Sequence, residues 1–128
     1  MSQKLAINIS GSPPPIGPYS PAIRFGNLLF LSGVIALNPQ SGALDQQSLE
    51  AEITRIMENI RHILEHAGLS FQDVLKTTIY LTHMQYFETV NKIYGSYFTP
   101  PYPARETVQV SALPRGARIE ISLVAGYP

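Results

Sequence analysis

Between Leu49 and Ala67 the apolar residues Ile53, Ile56, Met57, Ile60, Ile63, Leu64 and Ala67 recur at helical spacing. On a helical wheel they fill one arc of about 120°, the signature of a helix with a single buried stripe. Gly68 follows as a left-handed C-terminal cap, with Leu69 placed to fold back onto the helix. A stripe of this kind needs a second layer to cover it, and the rest of the chain supplies strands.

Ala22–Phe25 and Leu28–Ser32 flank a two-residue Gly26-Asn27 turn, which predicts a hairpin. Val74 to Leu81 is β-branched and aromatic, and reads as a third strand. Thr82 with Gln85 has the spacing of a capping box, predicting a second helix whose apolar face is Phe87, Val90, Tyr94 and Phe98. Thr99–Pro103 ends that helix, and Arg105–Ser111 and Arg118–Ala125 are predicted as closing strands. Ser12–Pro21 is too proline-rich for helix or central strand and reads as a rigid loop around Tyr19, in preference to a PxxP ligand. The order is hairpin, helix, strand, helix, strand, strand: an α+β fold with one sheet and two helices on one face. The uncovered face is a candidate subunit interface.

The 128 residues suit one domain, 1–128. Lys plus Arg is 9 and Asp plus Glu is 9, a balance that argues against nucleic-acid binding, which leaves a basic excess. With no cysteine, disulfides, thiolate metal sites and Cys nucleophiles are excluded. No apolar run suits a signal peptide or a membrane span, so a soluble, cytoplasmic protein is expected. His62 and His66 stand four apart, a spacing that can hold a metal, but the wheel puts both on the polar face and a solvated surface is expected instead. There is no nucleotide-binding or G-x-S-x-G motif.

Two residues of the closing strands stand out. Glu120 lies between Ile119 and Ile121, where a carboxylate is costly to bury and its pKa should rise. Arg105 opens the preceding strand. Either the two form an ion pair across strands, or they line a cleft in which Arg holds a carboxylate and Glu moves a proton.

The chain carries, in order, Ile16-Gly17-Pro18-Tyr19-Ser20, Leu31-Ser32-Gly33, Asn38-Pro39, Ala67-Gly68-Leu69, Lys76–Tyr80, Phe87-x-x-Val90-Asn91, Pro103-Ala104-Arg105 and Leu113-Pro114-x-Gly116-x-x-Ile119-Glu120-Ile121. Together these segments resemble the reactive-intermediate deaminase (RidA, YjgF or L-PSP) family. The resemblance spans nearly the whole chain in one register. It implies a chorismate-mutase-like fold assembled as a homotrimer with pockets between subunits. The activity it implies is hydrolysis of 2-imino acids, such as 2-iminopropanoate and 2-iminobutanoate, to 2-oxo acids and ammonia. Such imines arise from PLP-dependent dehydratases, and no cofactor is implied for the deaminase itself.

By the same resemblance Arg105 holds the substrate carboxylate, Glu120 positions and deprotonates water, and Tyr19 borders the pocket. Ser32, Gly33, Asn91 and Thr107 are its substrate-binding residues. Thr107 stands where many members have Cys, Glu106 where a small residue is usual, and Ser122 where a second Glu is usual. Two other readings are an endoribonuclease or translation inhibitor, and a small-acid-binding or chaperone-like trimer without turnover.

Overall fold

The computed structural model describes residues 3–12 and 15–128. Pro13 and Pro14, part of the expected rigid loop, lie outside the described residues. The elements are β1 (Leu5–Ala6), β2 (Ala22–Phe25), β3 (Leu28–Val34), α1 (Leu49–His66), β4 (Val74–Leu81), α2 (Phe87–Gly95), β5 (Ala104–Gln109) and β6 (Ile119–Gly126). They form one six-stranded sheet in the order β1-β2-β3-β6-β4-β5. All neighbours are antiparallel except β4 and β5, which are parallel and are joined through α2, since a parallel pair needs a crossover.

Alternation along the strands sorts the two faces of the sheet. Leu29 and Leu31 of β3, Thr77, Ile79 and Leu81 of β4, and Ile119, Ile121 and Leu123 of β6 are buried. The apolar ones form one core with the α1 stripe Ile53, Ile56, Met57, Ile60, Ile63 and Leu64. The opposite face carries Phe25, Leu28 and Phe30, all exposed, beside half-buried Tyr80, Glu120, Ser122 and Val124. It is a face with an apolar patch around Phe30, and no element of the described chain covers it.

The ends of α1 follow local rules. The Ser48 side chain accepts from the Ala51 N–H. At the other end Gly68 takes φ 77°, its N–H donates to Glu65 O at 3.0 Å, and Leu69 N–H donates to Leu64 O at 2.8 Å. This is the Schellman pattern, and Leu69 is buried against the core as expected.

Within α1, Glu52 is fully buried. Its carboxylate accepts from the Arg118 backbone N–H at 2.9 Å and the Arg118 Nε–H at 2.7 Å. This pair fixes the chain immediately ahead of β6, two residues before Glu120.

Three local expectations are corrected. The Thr82–Gln85 capping box does not form: the Thr82 N–H is drawn to Arg118 O at 3.0 Å, closing the end of the sheet, and its hydroxyl faces the same carbonyl. The helix instead enters through a 3-10 turn, Met84–Tyr86, whose first N–H donates to the Gln109 side chain at 2.8 Å. A capping box does form at Ser70 and Asp73, where none was expected. The strand β1 was also not expected; two residues carry no readable alternation, and pairing with β2 alone defines them.

His62 and His66 are not simply solvated. His62 Nε2 donates to Ser10 O at 2.8 Å, and His66 Nε2 meets Ser10 Oγ at 3.0 Å, strapping the N-terminal segment to α1. Among the described residues no helix is long and apolar enough to cross a membrane.

Candidate active site

The residues singled out in the sequence fall into two groups. The first surrounds Arg105. The β5 strand pairs Arg105 with Thr77 and Thr107 with Ile79, so both side chains share the helix-covered face, at its open edge. Arg105 Nη1 donates to Asn91 Oδ1 at 2.6 Å. Its guanidinium carbon lies 5.5 Å from the centre of the Phe87 ring and 5.3 Å from that of Tyr94, within cation–π range of both. Phe87, Asn91 and Tyr94 are spaced i, i+4, i+7 and therefore share one side of α2. Tyr94 is itself fixed, its hydroxyl sharing a 2.8 Å hydrogen bond with the buried Thr77 Oγ1.

Sequence reasoning assigned Phe87 and Tyr94 to the core alone. Their role beside Arg105 was signalled only by their spacing around Asn91. Among the described residues Arg105 has no carboxylate within ion-pair distance.

The second group surrounds Glu120, on the uncovered face. Ile119 and Ile121 bury their side chains towards the helices, and Glu120 between them points the other way. Partial burial pushes its carboxyl above the ordinary carboxylate range. The carboxylate lies against Gly33: a Cβ there would sit 2.5 Å from the Glu120 carboxyl carbon. Gly33 thus makes room for Glu120, a reason for glycine independent of turn geometry.

Next to it, Ser32 Oγ donates to Ser20 O at 2.6 Å and the Ser32 N–H to Pro21 O at 2.9 Å. These bonds fasten the loop that presents Tyr19, a residue that is 52% exposed. Glu120, Gly33, Ser32 and the Tyr19 loop are therefore neighbours along β6, β3 and the β2 approach.

The ion pair considered between Arg105 and Glu120 does not exist within one chain. β4 lies between their strands, and the two side chains project from opposite faces. Two strand spacings alone separate them by about 10 Å. Glu106, by contrast, shares the uncovered face and pairs with Lys76 at 2.6 Å, which holds its carboxyl below the usual range. It stays clear of the Arg105 side, and Ser122 shares Glu120's face. A single chain thus presents the Arg105 cluster and the Glu120 cluster on different surfaces.

The model of the Endoribonuclease L-PSP family matches residues 10–127. The chain belongs to that family. Among L-PSP relatives, it is 43% identical over 96% of its length to Reactive Intermediate Deaminase A, chloroplastic, of Arabidopsis thaliana, of which it covers 66%. It is 42% identical over 93% of its length to the human 2-iminobutanoate/2-iminopropanoate deaminase, covering 87% of that protein. Among solved L-PSP-type structures, a Rid family protein of unknown function from Yersinia pestis superposes with a TM-score of 0.92 at 42% identity, over 97% of this chain and 99% of that one. Escherichia coli TdcF with bound serine superposes with a TM-score of 0.90 at 32% identity, over 97% and 99% of the two chains. The single mixed sheet with two helices is thus the fold of the family, as expected from the sequence.

Proposed function

We propose that this protein is a hydrolytic deaminase of small 2-imino acids, releasing the 2-oxo acid and ammonia. One observation carries the reading: a seated Arg105 with no carboxylate partner among the described residues. A Glu120 whose carboxyl partial burial pushes above the ordinary range supplies the second group. An α-imino acid needs both groups. Its carboxylate takes the guanidinium edge that Asn91 leaves free, by two parallel charge-assisted hydrogen bonds.

The imine carbon is electrophilic already, so a water activated by Glu120 suffices. Water adds its oxygen to that carbon and gives a proton to Glu120. Glu120 returns that proton to the imine nitrogen, giving a tetrahedral amino alcohol. A second proton then passes from its hydroxyl through Glu120 to the amine nitrogen, the C–N bond breaks, and ammonia leaves as the C=O forms. Tyr19 borders the side-chain end of the substrate, Thr107 lies beside the carboxylate, and Ser32 and Gly33 fix the loop and the base. The names of the mouse and human relatives and the serine bound to TdcF support a substrate of this size and charge.

Because the two clusters lie on different surfaces, the site requires a second copy, whose uncovered face brings Glu120 to the Arg105 edge of its neighbour. Such a contact joins two unlike patches, and heterologous contacts close into rings. A homotrimer with three inter-subunit pockets is our reading, and it also covers the apolar patch around Phe30. PLP-dependent dehydratases, which release imino acids, are the functional partners this chemistry implies. The equal count of 9 basic and 9 acidic residues speaks against the ribonuclease reading.

The test couples a threonine dehydratase to this protein and follows 2-oxobutanoate. Faster release than the uncatalysed rate supports the reading, and an unchanged rate contradicts it.

A further inference from the structure

An arginine that must meet a small carboxylate squarely has a long, flexible side chain to restrain. The surroundings of Arg105 restrain it before any ligand arrives. Asn91 Oδ1 engages Nη1 at 2.6 Å, and the Phe87 and Tyr94 rings stand 5.5 and 5.3 Å from the guanidinium carbon. Tyr94 in turn is anchored to Thr77, the residue directly across from Arg105 on β4. The ring is thus tied to the same strand pair that carries the arginine, and it cannot turn aside without breaking a buried hydrogen bond.

We propose that Phe87 and Tyr94 are positioning residues, which hold the Arg105 guanidinium in its carboxylate-binding orientation through their ring faces. This inference rests on the reading of Arg105 as the carboxylate holder. The rings do not touch the reacting atoms; they act through Arg105. Their loss therefore falls on binding and KM rather than on kcat.

Calorimetric binding of 2-oxobutanoate, a non-reacting product, separates this role from a packing role. Tyr94→Leu and Phe87→Leu are expected to weaken binding about three- to tenfold, with KM rising in parallel in the coupled assay. Tyr94→Phe keeps the ring and is expected to recover most of what Tyr94→Leu loses. An unchanged Kd in folded Phe87→Leu and Tyr94→Leu, alongside a weakened Arg105→Lys, overturns the inference while leaving the deaminase reading standing. Should Tyr94→Leu not fold, Phe87→Leu alone decides the matter, since Phe87 is only partly buried. A wild-type protein that does not bind 2-oxobutanoate, and whose turnover is indifferent to Arg105→Lys, overturns the proposed function and this inference together.

Discussion

Arg105 and Glu120 project from opposite faces of one sheet, with β4 between their strands. Neither neutralises the other, and each keeps its chemistry available. Arg105 is held by a neutral amide and two rings, and Glu120 lies against a bare glycine. Each half makes its own predictions.

Arg105→Lys keeps the positive charge but loses the planar fork and the bond to Asn91. Loss of one charge-assisted hydrogen bond costs about 1.5–3 kcal/mol, so kcat/KM should fall roughly tenfold to a hundredfold. Because Arg105 is exposed and pairs with no carboxylate among the described residues, the melting temperature should hardly move. Steady-state kinetics and a thermal melt on one preparation check both halves.

Glu120→Gln removes the proposed base and should cost about 10²–10⁴-fold in turnover. Stability should move the other way. Burial raises the folded-state pKa, so ionised Glu120 opposes folding at neutral pH. Its favourable contribution is complete below the unfolded-state pKa and is lost as pH rises through the raised folded-state pKa. Glu120→Gln should therefore be more stable than wild type at neutral pH, with the difference vanishing in acid. In the wild type, kcat/KM should fall in acid around a pKa above the ordinary carboxylate range. Urea titrations and a pH–rate profile test these signs.

Gly33→Ala should act through Glu120, because the added methyl meets that carboxylate and the glycine is not in a left-handed conformation. A marked loss of kcat is expected in the wild-type background, and little further loss in the Glu120→Ala background. This double-mutant cycle reads the contact directly. Equal losses in both backgrounds would assign Gly33 a role independent of Glu120.

Glu52→Ala leaves the backbone N–H and Nε–H of Arg118 without their acceptor at the entry to β6. Arg118 is partly exposed, so water takes up part of the loss, and the unsatisfied donors cost about 1–3 kcal/mol. Urea unfolding should show this, and folded protein should retain Arg105-dependent binding of 2-oxo acids.

The sequence made some of this legible and hid the rest for physical reasons. The α1 stripe, its Gly68 cap and the hairpin at Gly26-Asn27 depend on neighbours a few residues apart, and these formed as expected. The opposed aspects of Arg105 and Glu120 depend on the register of β6, β4 and β5, which no local pattern encodes. Thr82 failed as a cap because Arg118, 36 residues away, competed for it. Likewise Asn91 was recognised from its motif, but its engagement with Arg105 required α2 to be docked beside β5.

The central claim is that one active site is shared by two copies of the chain. Arg105→Ala and Glu120→Ala, each expected to be inactive alone, should be unfolded together, refolded as a mixture and assayed for 2-oxobutanoate release. In a ring with random mixing, roughly one quarter of the inter-subunit sites unite an intact Arg105 with an intact Glu120. The account predicts recovery of about that fraction of wild-type activity. A mixture as inactive as its two parents, with mixed oligomers verified by native mass spectrometry, would contradict it.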